Sequence, residues 1–109
     1  MGFLGISGAT IVSFEKQRQI EAAILLEDHD RMKRLIGDSV GEILTAGLTQ
    51  MEMATLEALR EEHGELLRQL ISEAFGRGWV RSGEPNLSNA MEEVLVAAQH
   101  AIKGYRNPH

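Results

Sequence analysis

Cysteine is absent from this 109-residue chain. That absence removes disulfides, thiolate zinc sites and cysteine nucleophiles together, and it fits a reducing, cytoplasmic setting. Long apolar runs are missing too. None approaches the roughly 20 residues that a membrane-spanning helix needs, so no membrane partner is expected. Positive charge is scarce, with 11 Lys and Arg against 16 Asp and Glu and a net charge of −5. Proteins that live on nucleic acid usually carry a basic patch that neutralises phosphates. Here most basic residues are interleaved with acids, and no nucleic-acid partner is expected. The first basic residue is Lys16, so no positively charged segment precedes the apolar start and no secretion signal is expected. Period-two alternation is confined to a short stretch, Ala9 to Phe14.

What the chain does have is ordinary globular composition, 43% apolar and 25% charged, enough for one domain over residues 1–109. The pattern is that of an all-α protein, a small helical bundle of three long helices and one short one. A helical hairpin of this size leaves apolar surface looking for company, so a homodimer is expected.

The first helix is expected from about Ser13 to Ile36, with Leu25, His29, Met32 and Ile36 on one face. Asp28 and Asp30 prefer caps to helix interiors, which allows a break or kink between them. Gly37 then reads as a stop. Ser39 with Glu42 has capping-box form for a short helix running to about Gly47. Thr49-Gln50-Met51-Glu52 is a second capping box, opening a strongly helical stretch that ends at Phe75 with Gly76 in the C′ position. Within it Leu56, Leu59, His63, Leu66 and Leu70 alternate spacings of three and four, a coiled-coil-like seam that serves the core or a dimer. Gly64 costs about 1 kcal/mol against alanine in that helix and leaves room for a second backbone. Residues 76–88 read as a connector loop. Asn86 or Ser88 caps a last helix to about Lys103, whose apolar stripe is Met91, Val94, Leu95, Ala98 and Ile102. Ala90, Ala97 and Ala101 keep one flank small for a close neighbour.

Residues 1–12 read as an apolar, Gly-rich N-terminal arm, with Gly2, Gly5 and Gly8 among Phe3, Leu4 and Ile6. No lysine stands near Gly8, so a Walker loop is excluded, and the GxGxxG spacing is absent. Myristoylation wants Ser or Thr where Ile6 stands. Contact is what remains for the arm.

Catalytic signatures are missing. No serine lies in a GxSxG elbow. Adjacent acids such as Glu61-Glu62 and Glu92-Glu93 diverge by about 100° on a helix and make no shared-proton pair. His29, His63 and His100 fall on three expected helices. The acid required three residues before each is replaced by Leu26, Arg60 and Ala97. No enzyme, cofactor or metal site is therefore expected. The alternative is a bundle that holds a small molecule or metal through those three histidines.

The connector stretch RGWVR puts the only tryptophan, Trp79, between Arg77 and Arg81. Trp and Arg are enriched at binding hot spots. A second basic cluster, Arg31, Lys33 and Arg34, suits a helix C-terminus. The expectation is a small regulatory or adaptor protein that binds another protein, for instance by sequestering a transcription activator. Its contact residues would be Phe3, Leu4, Ile6, Arg77, Trp79 and Arg81, with part of the leucine seam.

Overall fold

The computed structural model describes residues 4–106, with side chains over 14–105. Among them the chain forms four helices and no strand: α1 (Leu4–Leu25), α2 (His29–Gly47), α3 (Gln50–Val80) and α4 (Leu87–Arg106). The all-α expectation holds, but the division of the chain differs. There is no short helix, because α2 has 19 residues. Helical backbone begins at Leu4, so α1 takes up most of the segment expected as an arm, including Ala9 to Phe14.

The break comes at the two aspartates. Glu27 adopts a left-handed φ of 54°. Its amide donates to the Ile24 carbonyl at 3.0 Å, and the Asp28 amide donates to the Ala23 carbonyl at 2.9 Å. This is the Schellman pattern that satisfies the last carbonyls of a helix. Asp28 then caps α2, its carboxylate accepting from the Arg31 amide at 3.1 Å. Gly37 and Gly41 pass through the interior of α2. Ser39 is no cap, since its hydroxyl is buried and donates to the Leu35 carbonyl at 2.9 Å.

The capping box at Thr49 is present in full. Its hydroxyl accepts from the Glu52 amide at 3.1 Å, and the Glu52 carboxylate accepts from the Thr49 amide at 2.9 Å. From there α3 runs to Val80, past Gly76, so the connector shrinks to residues 81–86. One residue interrupts the helix: His63, at φ −137° and ψ 45°, just before Gly64. An added Cβ at Gly64 meets nothing within 4 Å, so no second backbone uses that space. The bend moves the buried face around the helix. Before it Leu56 and Leu59 point inward; after it Leu67, Ala74, Phe75 and Gly78 do.

Helix α4 packs on all three others and most extensively on α3. Its buried stripe is the expected one, with Met91, Val94, Ala98 and Ile102 inside and Leu95 half-buried. Asn86 caps it by accepting from the Asn89 amide at 2.9 Å. At the start of the α3–α4 hairpin the backbones nearly touch: a Cβ on Gly78 would lie 2.6 Å from the Ala90 Cα. The close approach expected on the alanine flank is therefore real, and its partner is Gly78, which lies in α3 and not in the expected connector loop. The molecule is only 22 Å through its thinnest dimension, about two helix diameters. So thin a slab leaves several apolar side chains uncovered.

Candidate functional site

Two apolar surfaces stand out among the described residues. The first is the tip of the α1–α2 hairpin, where Ile24, Leu25 and Leu26 follow one another; Leu25 is 84% exposed and Leu26 77%. The turn that ends α1 creates this tip. Leu25 therefore shares no face with His29, Met32 and Ile36, which belong to a different helix. The apolar triplet directly before the Asp28 cap was the available signal, and the expectation of a continuous helix concealed it.

The second surface is a trough along one side of the α3–α4 hairpin. Its larger half has a volume of about 470 Å³. Leu59, His63, Leu66, Leu67 and Leu70 line it from α3, and Ala101, Gly104 and Tyr105 from α4. A second hollow of about 350 Å³ shares Leu70 and Ala101 with it and continues to Arg77, Glu93, Val96 and His100. Along its length Leu66 is 60% exposed, Val96 43% and Leu70 37%. The expected seam is thus divided: Leu56 and Leu59 are buried, while His63, Leu66 and Leu70 stay accessible. The bend at His63 is the physical cause, because it rotates the inward face to Leu67 and Ala74.

The trough has polar ends. At one, the Tyr105 hydroxyl donates a hydrogen bond to the Glu62 carboxylate. That bond, helped by partial burial and the nearby negative charge, holds the Tyr105 pKa above the ordinary tyrosine value. At the other end Arg77 lies 3.6 Å from the Glu93 carboxylate.

Residues of the expected hot spot also make contacts within the chain. Trp79 is half-buried and stacks on Phe75, ring centroids 5.7 Å apart. Arg81 donates to Glu92 at 2.7 Å, Asn89 at 2.8 Å and Glu93 at 2.9 Å. The bond to Glu92 is the main cause of its raised pKa. These contacts clamp the end of α3 to the start of α4. Leu4 and Ile6 belong to the first turns of α1, and their side chains lie outside the described residues, as does Phe3 altogether.

Two of the three histidines lie along the trough, His63 in the larger hollow and His100 in the smaller, while His29 lines neither. Among the described residues no group of three or more His, Asp or Glu could hold a metal ion. Arg31, Lys33 and Arg34 sit in the first turns of α2, not at a helix C-terminus. The dipole there disfavours cations, and Asp28 and Asp30 offset them. No described helix is long and apolar enough to cross a membrane. No family model matches the chain, and neither does a curated protein or a solved structure.

Proposed function

We propose that this chain is a small regulatory or adaptor protein that acts by binding another protein, with no chemistry of its own. Its action is steric: it covers a partner's working surface or holds a complex together. The observation that supports this reading best is the α1–α2 tip. Three consecutive large apolar side chains held in solvent are costly unless something covers them. The Schellman turn and the Asp28 cap give the tip a defined shape, so a partner pays little ordering entropy to use it. Phe3, Leu4 and Ile6 make up a second part of the proposed contact.

The test compares wild type with a Leu25→Ser, Leu26→Ser double variant. Each is immobilised and exposed to lysate of the native host, and retained proteins are identified by mass spectrometry. A protein held by wild type and lost by the variant, at unchanged helicity, is the expected result. Equal retention by both would remove the tip. Deleting residues 2–8 in the same assay tests Phe3, Leu4 and Ile6.

A second reading, a bundle holding a small molecule, rests on His63 and Tyr105 beside a hollow in the usual size range of about 300–1,000 Å³ for such sites.

A further inference from the structure

We propose that the α3–α4 trough is the seat of a second copy of this chain, packed across a two-fold axis near Leu70 and Ala101. This deepens the association reading above, but on different residues, so failure at the α1–α2 tip leaves it standing and the reverse also holds.

The first support is shape. Leu66, Leu70 and Val96 rise from the trough as exposed knobs, while Ala97, Ala101 and Gly104 form a low floor beside them. A surface that carries both knobs and holes is self-complementary, which is what an isologous interface requires. The floor has real room, since a Cβ added at Gly104 meets nothing within 4 Å. From His63 to Arg77 the trough is about 21 Å long at 1.5 Å per residue. That length suits an antiparallel helix pairing of about four turns.

Charge selects the occupant. Glu62 lies eight residues before Leu70 and Arg77 seven after it. A two-fold axis at Leu70 therefore brings Glu62 of one copy over Arg77 of the second copy, and symmetry repeats the pair at the other end. Arg77 already pairs with Glu93 at 3.6 Å, but its side chain is 59% exposed and has donors left for a second carboxylate. Glu62 of each trough thus meets the Arg77–Glu93 pair of its mate on the arginine side. A partner chain laid the other way round sets like charge on like, which costs affinity and fixes the direction.

The test is the oligomeric state of the full chain by sedimentation equilibrium, with circular dichroism as the check on folding. Wild type is expected to dimerise. Leu66→Glu with Leu70→Glu should weaken the dimer by at least about a hundredfold at unchanged helicity. Gly104→Leu fills the floor from a site with open space and should do the same, which keeps the test decisive if the double variant misfolds. Glu62→Arg and Arg77→Glu should each weaken dimerisation about tenfold, and the two together should restore it. A wild-type chain that stays monomeric at high micromolar concentration overturns the proposal. So does a dimer indifferent to the trough variants, a dimer abolished only by the Leu25→Ser, Leu26→Ser change, or a charge swap that fails to restore association. A monomer that co-purifies with a small apolar molecule in the trough overturns it in favour of the ligand reading.

Discussion

The side chain of Gln17 accepts a hydrogen bond from the Leu87 amide at 2.6 Å, across 70 residues of chain, and donates one to the Pro85 carbonyl at 2.8 Å. Leu87 is the first residue of α4, where helical amides have no partner within their own helix. Asn86 satisfies the Asn89 amide, and α1 supplies the acceptor that Asn86 cannot. Gln17→Ala should therefore lower stability by about 1–2 kcal/mol, read as a fall in urea midpoint. Gln17→Glu keeps the acceptor but turns a carboxylate oxygen toward the Pro85 carbonyl, so at neutral pH it should recover part of the loss at most. Equal stability of all three proteins would show that the clip contributes nothing.

Two glycines near the end of α3 should respond oppositely to alanine. A Cβ at Gly76 meets nothing within 4 Å. Gly76→Ala should raise the melting temperature through helix propensity, by up to about 1 kcal/mol. At Gly78 the Cβ would collide with the backbone of Asn89 and Ala90, which has little freedom to move. Gly78→Ala should destabilise by about 1–3 kcal/mol as the α3–α4 hairpin is forced apart.

Glu27 closes α1 in a conformation that suits glycine better. At φ 54° its Cβ crowds its own backbone. Glu27→Gly should stabilise the fold by about 0.5–1 kcal/mol in thermal or urea unfolding, despite the extra entropy of the unfolded chain. Destabilisation would mean that the glutamate side chain makes a contribution larger than the strain.

Tyr105 is the only tyrosine, so its ionisation can be followed by ultraviolet absorbance without interference. Its bond to Glu62 holds the folded pKa above the unfolded value, which is about 10. A raised pKa favours the protonated hydroxyl in the folded state. The resulting stability is complete below the unfolded pKa and is lost as pH rises through the folded one. Glu62→Gln should move the midpoint of phenolate formation back toward about 10. An unchanged midpoint would show that the bond is not maintained in solution.

The four helices were only partly legible in the residues. Thr49 and Glu52 carry a complete capping signal, and the structure uses it. The α4 stripe was legible as well, because Met91, Val94, Ala98 and Ile102 all face the core. Glycine was the misleading signal. Gly37 and Gly76 looked like stops, yet both lie inside helices, while α1 ends at Leu25 and the left-handed turn at Glu27 has no glycine. A glycine inside a helix costs only about 1 kcal/mol, and burial of one large apolar side chain returns about 1.5–3. Packing of α2 and α3 on their neighbours outweighs the local preference.

The candidate surfaces were less legible still. Leu56, Leu59, Leu66 and Leu70 obey one periodicity, and nothing in their spacing separates the buried pair from the exposed one. By itself the sequence determined an all-helical chain, the start of α3 at Thr49 and the inward stripe of α4. Those features depend on residue type and near-neighbour spacing, which are local. Only the tertiary structure decided that His63 bends α3, that Gln17 completes α4, and that Leu66, Leu70 and the Leu25-Leu26 tip remain uncovered. Each depends on which element lies alongside, and that is settled by the summed packing of the whole chain.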